Sequence, residues 1–212
     1  MTKLEKEEII SLLNRYKLFG IKYIEPFSST KKDTKKEDLP NDIYQLENYV
    51  NYCNICELSK FKKDSIFSIG DIDSDIMLIG TNCNFIDENI NKILKDIIIN
   101  VLLLDFNKVY ITNILKCDIY SNIKNLDKPI KLCKNYILKQ IELIKPKLII
   151  TVGSAFNNLM DNDNNILDIS GNLYDYNGIN LVPLLDLNFI YKNPSYKQEM
   201  FNDLKKLKRL ME

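Results

Sequence analysis

Four short apolar runs, separated by stretches of helical period, set narrow limits on what this chain can fold into. IMLIG at 76–80, KVYIT at 108–112, KLIITVG at 147–153 and INLVPLL at 179–185 each read as a strand. KLIITVG is apolar on both faces, as a strand covered from two sides must be. Residues 88–104 place Ile90, Ile93, Leu94, Ile97, Ile98, Val101 and Leu102 at helical spacing. Pro129 opens a helix to about Lys145, with Asp127 as its capping signal, and Ser154 caps a short helix over 154–160. A capping box of Ser195 and Gln198 opens the last helix, which runs to about Met211. This alternation predicts a three-layer α/β/α domain around a central, mainly parallel four-stranded sheet. Ligands of such sheets bind beyond the carboxyl ends of the strands. Here those ends are the loops 80–88, 113–117, 153–154 and 186–193.

Two of these loops carry or adjoin cysteines with a second message. Cys53 and Cys56 form a short hook, and Cys117 and Cys133 follow at a distance. A hook plus two distant thiols can close four ligands round one centre. The chain has no histidine, so such a centre is ligated by thiolates: a [4Fe–4S] cluster or a structural zinc. Ordinary buried thiols are the plainer reading. Cys133 fits it, sharing a helical face with Ile137, Ile141 and Ile144, and Cys83 lies outside the four-ligand spacing.

Charge excludes the simplest kind of nucleic-acid binder. Lys plus Arg and Asp plus Glu number 29 each, so no global positive field exists. Local clusters remain: Lys31, Lys32, Lys35 and Lys36; Lys60, Lys62 and Lys63; Lys205, Lys206, Lys208 and Arg209. Such clusters are commonly solvated faces. The charged N-terminus lacks a signal-peptide core, and the most apolar run, near 97–104, is interrupted by Asn100. The expectation is a cytoplasmic protein with no membrane span, in which cysteines serve as metal ligands rather than disulfides. Residues 1–26 are expected to form a helical extension, with Ile9, Ile10, Leu12 and Leu13 on one side of 3–18. Residues 27–41 read as a flexible linker, and 42–212 as the α/β domain, with a short helix near 43–52.

In order, these signals resemble the iron–sulfur (family 4 type) uracil-DNA glycosylases. The resemblance covers roughly residues 50–210. The family's Cys-x-x-Cys-x-Leu hook is matched by Cys53, Cys56 and Leu58, and its Tyr-Ile-Thr-Asn-x-x-Lys-Cys segment by Tyr110 to Cys117. Cys133 with Gln140, Ile141 and Pro146 resembles the segment of the fourth cysteine. Gly153, Ser154 and Ala155 resemble its Leu-Gly-x-x-Ala, and Lys192, Asn193, Pro194, Lys197 and Phe201 its ending. The resemblance implies a [4Fe–4S] cluster on Cys53, Cys56, Cys117 and Cys133, with zinc as the alternative. It also implies a DNA partner, uracil-containing or otherwise damaged. In the family a base flips into a pocket, water attacks the sugar, and the base leaves as an anion whose oxygen needs stabilising.

Carried across, the implied base-binding positions are Gly80, Thr81, Phe85 and Asn113, of which Asn113 matches the base-reading asparagine. The implied DNA-binding positions are Gly153, Ser154, Lys192 and Asn193. The implied catalytic positions are Asp87, Glu88, Asp186 and Asn188. Several depart from the family. Thr81 stands where the family has glutamate, and Asn82, Cys83 and Asn84 replace its Ala-Pro-Gly, although the acidic pair Asp87 and Glu88 remains. The His-Pro-Ser/Ala motif falls on Asp186, Leu187 and Asn188. An ionised Asp186 repels a departing anion, while Asn188 can offer a neutral donor. The segment that carries the base-stacking aromatic is missing, which leaves Phe85 or Phe189 for that role.

Three readings follow. One is a divergent uracil-DNA glycosylase in DNA repair, with Asp87 or Glu88 holding water. Another is an inactive relative that binds DNA or a repair or replication partner, the N-terminal helix being a tether. The third is a zinc-stabilised structural domain. Loss of one oxyanion donor costs about 10²–10³ in rate, which favours the second reading over the first.

Overall fold

In a computed structural model the second of the chain's two units is Leu39–Glu212. The structure describes residues 39–82, 87–118 and 125–211. The expected helix over 3–18, most of the expected linker, Cys83 and Phe85 lie outside them.

The second unit opens with α1 (Ile43–Asn51), which Asp42 caps by accepting the Gln45 N–H, and a two-residue strand β1 (Ser68–Ile69). Then come β2 (Ile76–Gly80), α2 (Glu88–Asp96), β3 (Tyr110–Asn113) and α3 (Asp127–Ile144). The second half holds β4 (Leu148–Val152), α4 (Ala155–Met160), α5 (Ile166–Ile169), β5 (Tyr174–Tyr176), β6 (Ile179–Leu184), α6 (Leu187–Lys192) and α7 (Lys197–Met211).

The strands form one six-stranded sheet in the order β1-β3-β2-β4-β6-β5. Its four central strands are the four expected ones, all parallel. The sheet is nevertheless wider than expected, because β1 and β5 add antiparallel edges. The β5–β6 turn uses Asn177 and Gly178, both at positive φ (52° and 84°), the pair that a tight hairpin favours.

Alternation along β2 sorts the core into two layers. Leu78 faces one side with Ile111, Ile150 and Val182, packed against α2, α6 and α7. Met77 and Ile79 face the other with Tyr110, Ile149 and Leu181, packed against α3 and α4. Side chains two apart on a strand share a face, so one apolar run feeds both layers.

Two helices depart from expectation. The apolar stretch 88–104 is α-helical only to Asp96 and continues as a π turn over Ile97–Val101. The wider turn lets the sequence neighbours Ile97 and Ile98 both be buried, while Ile99 faces out. Residues 186–193 form α6 rather than an open loop, and Ser195 sits in a 3₁₀ turn (Pro194–Tyr196) ahead of α7.

Candidate active site and candidate metal centre

Parallel pairing brings the carboxyl ends of β2 and β3 level, with Gly80 opposite Asn113. Backbone hydrogen bonds continue past the strands: Ile114 N–H to Gly80 O (2.9 Å) and Leu115 N–H to Thr81 O (3.0 Å). Asn113 is 1% exposed, and its Oδ1 is buried without a hydrogen-bond partner among the described residues. An unmet buried acceptor typically costs about 1–3 kcal/mol, so its survival needs an explanation.

On the other side of the sheet's midline, β4 and β6 end level at Val152 and Leu184. Asp186 caps α6, its Oδ1 accepting the Phe189 N–H at 3.0 Å. Its Oδ2 lies against Gly153, whose φ is +60°, and a Cβ there would come within 2.9 Å of that oxygen. Glycine at 153 therefore satisfies both a left-handed turn and a close approach. Across the gap Thr81 Oγ1 and Ser154 Oγ are hydrogen-bonded at 2.9 Å.

Between these ends lies a narrow cleft, with about 10 Å³ of space that the centre of a water molecule can reach. Gly80, Thr81, Asn82, Ile90, Val152, Asp186, Leu187 and Asn188 line it. Four residues selected from sequence thus share one cleft: Gly80, Thr81, Asp186 and Asn188. Ser154 joins through Thr81, Gly153 through Asp186, and Asn113 through its pairing with Gly80.

The other selected residues stand elsewhere. Asp87 and Glu88 are exposed at the start of α2, outside the cleft lining. Asp87 Oδ1 caps that helix, accepting the Asn89 and Ile90 N–H groups at 2.9 and 3.2 Å. Lys192 and Asn193 end α6 at the opposite pole from Asp186, where Asn193 Nδ2 donates to Phe189 O. Phe189 is half-buried against the core and tilted on Tyr196, with ring centroids 5.0 Å apart, so it packs rather than presenting a face to the cleft.

The four metal-spaced cysteines converge from three segments. Cys117 and Cys133 are buried with Leu58 and Leu115, and Cys56 packs on this cluster. Cys53 packs beside Leu46, Val50, Phe67 and Tyr136, and the Tyr136 hydroxyl donates to its Sγ at 3.2 Å. Burial pushes the Cys117 thiol up to about 11 and the Cys133 thiol up to about 12. Negative charge on the other thiols of the group acts in the same direction. None of the four is in a disulfide. Among the described residues no three Cys, Asp or Glu side chains already stand at distances that would hold a metal ion. The fit is one of donor kind and convergence: soft ligands only, gathered where bringing thiolates together needs a positive centre.

Between Asn113 and Cys117 lies a feature that sequence reasoning missed. Lys116 is 2% exposed. Its Nζ donates to Thr112 Oγ1 (2.6 Å), to Phe67 O (3.3 Å) and to Gln140 Oε1. Gln140 Nε2 in turn donates to Tyr110 Oη at 2.7 Å. Burial pushes the Tyr110 phenol up to about 12. This interior network ties β3 to α3 and fixes the segment bearing both Asn113 and Cys117. The Thr-Asn-x-x-Lys-Cys pattern was the available signal, but a lysine is ordinarily read as surface.

Much of the chain is similar in sequence to known proteins. A family described as the Uracil DNA glycosylase superfamily matches residues 67–205, a span that includes Cys117 and Cys133 and begins after the hook. A type-4 uracil-DNA glycosylase of Sulfurisphaera tokodaii is 28% identical over 128 residues, 56% of this chain and 58% of that protein. One from Saccharolobus solfataricus is 28% identical over 173 residues, 73% of this chain and 80% of the relative. A DNA polymerase of Bacillus phage SP01 is 30% identical over 104 residues, 49% of this chain and 11% of the polymerase. The chain therefore spans less than two thirds of the first relative and only a small part of the polymerase. Among the described residues no helix is long and apolar enough to cross a membrane.

Proposed function

Because the chain belongs to the uracil-DNA glycosylase superfamily, we propose that it binds DNA, takes an extruded base toward Gly80, Thr81 and Asn113, and hydrolyses that base's N-glycosidic bond. The substrate is uracil or another damaged base. The observation that carries this reading is the buried, unpartnered Asn113 Oδ1 beside the cleft. Its amide is suited to reading a base edge, and a ligand N–H would answer the missing hydrogen bond.

The chemistry then divides between the two sides of the cleft. Glycosidic cleavage develops positive charge on the sugar and negative charge on the leaving base. The Asp186 carboxylate suits the sugar side, where it stabilises a cation and orients water. The Thr81–Ser154 hydroxyl pair supplies neutral groups opposite, and Asn188 a neutral donor toward the base. Cys53, Cys56, Cys117 and Cys133 would hold a [4Fe–4S] cluster, supported by their all-thiol donor set and convergence. When bound it supplies a cross-link between the hook, the segment after β3, and α3, and takes no part at the base.

A second reading is favoured by the same Asp186. If the base departed on that side, its anion would meet a like charge, and two unit charges 4 Å apart repel by roughly 4 kcal/mol at an effective dielectric of 20. A non-catalytic DNA-binding relative would tolerate this. The similarity to part of a phage DNA polymerase is in keeping with such a role beside a replication protein.

Base release from single- and double-stranded oligonucleotides carrying uracil separates the two. Release by the wild type, lost in a cluster-replete Asn113→Ala variant, supports catalysis. DNA binding without release from cluster-replete wild type removes uracil hydrolysis and leaves the second reading. A broad absorption near ~400 nm distinguishes iron–sulfur from zinc.

A further inference from the structure

The basic cluster Lys60, Lys62 and Lys63 has no part in the cleft, yet it sits among the most exposed aromatic residues described. Tyr52 is 87% exposed and Phe61 66% exposed. The two lie on facing segments, because Lys62 Nζ donates to Asn51 O (2.7 Å) and Ser65 Oγ (2.9 Å). That clamp leaves Tyr52 and Phe61 on either side of one tie, with Ile55 of the hook (38% exposed) nearby in the chain. Lys60 and Lys63 are exposed beside Phe61, with Glu57 and Asp64 as the acidic neighbours.

The patch is joined to the cleft through backbone pairing. Residue 65 bridges Cys117, Ile66 N–H donates to Lys116 O (2.7 Å), and Asp118 N–H to Asp64 O (3.0 Å). The same 114–117 segment bonds to Gly80 and Thr81 at the cleft. The segment just after Phe61 and the cleft residues Gly80 and Thr81 thus bond to one run of backbone beyond the carboxyl end of β3.

We propose that Tyr52 and Phe61, flanked by Lys60 and Lys63, form a stacking platform for single-stranded DNA adjoining the cleft. Isolated, solvent-facing rings set among lysines suit bases with adjacent phosphates, since every base has a stacking face and each phosphate needs one cation. A protein partner would be better matched by a contiguous apolar patch. The inference rests on DNA as the ligand and is independent of base release.

The test uses the full chain and a fluorescein-labelled oligothymidylate free of uracil, followed by anisotropy. Tyr52→Ala with Phe61→Ala is expected to weaken binding at least tenfold, from a stacking contribution of about 1–3 kcal/mol per base. Tyr52→Phe with Phe61→Tyr should retain binding. Lys60→Gln with Lys63→Gln should flatten the salt dependence by about 1.4 in the log–log slope. Unchanged affinity in the alanine pair, or no oligothymidylate binding by the wild type, overturns the proposal. In the first case the reading of the cleft survives, because uracil release by the same alanine pair reports on it separately.

Discussion

Asn113→Leu should make this protein more stable and less able to recognise a base. Leucine has nearly the branched shape of asparagine but no polar atoms. The wild-type Oδ1 is buried without a partner among the described residues, at a residue only 1% exposed. Removing an unmet buried acceptor recovers a desolvation cost of about 1–3 kcal/mol, less whatever strain the two bulkier methyl groups introduce. We expect a net gain of about 1 kcal/mol, or a rise of roughly 2–4 °C in Tm for a domain of this size. Thermal unfolding of variants matched for cluster content measures it, with uracil release assayed on the same preparations. A stabilised protein without release is the expected pair of results. A Tm lowered by more than a few degrees would refute the reasoning, because it would mean that the amide is already satisfied and serves the fold.

Three further perturbations probe other parts of the site. Asp186→Ala removes a helix cap and should cost about 1 kcal/mol in urea unfolding, whereas Asp186→Asn keeps the cap acceptor and should be near neutral. If the carboxylate serves the sugar side, Asp186→Asn should still lose about 10²–10³ in single-turnover rate, and an unchanged rate would sink that role. Lys116→Met removes the donor to Gln140 Oε1, leaving that oxygen only the longer bond from a Thr112 hydroxyl it shares with Phe67 O, and should lower stability by about 1–3 kcal/mol, read from urea midpoints. Tyr136→Phe deletes the hydroxyl donated to Cys53 and should hasten loss of visible absorbance under chelator, with little change in Tm.

How much was legible in the sequence varied with the physics of each part. The central strands were readable because a strand buried on both faces must be continuously apolar, as Leu148–Val152 is. The edges were not: β1 has only two residues, and Tyr174–Tyr176 carries no apolar run. Asn177-Gly178, a pair that tolerates positive φ at both positions, was an unread signal for the second edge. Gly80, Thr81, Asp186 and Asn188, selected by motif order, line one cleft. Motif order did not reveal that Asp186 is a helix cap, although an aspartate ahead of Leu187 and Ile190 is a capping signal. Lys116 was illegible for a different reason. The local Thr-Asn-x-x-Lys-Cys pattern supplies only the Thr112 partner, and the contacts with Gln140 and Phe67 that also make burial of a lysine tolerable are distant in the chain.

The drawing of four thiols from three separate segments also sets a schedule for biogenesis. Cys56 and Cys133 are 77 residues apart in the chain. At roughly 5–20 residues per second, a ribosome takes about 4–15 s to make the interval between them. Throughout that time the nascent hook carries two thiols with no complete site to close, and the first edge strand has nothing to dock on until Tyr110–Asn113 of β3 has been made. During that interval the hook is exposed to oxidants and to whatever ion is most abundant, so any metal the proposed centre came to hold would depend on supply and timing during synthesis as well as on the folded site.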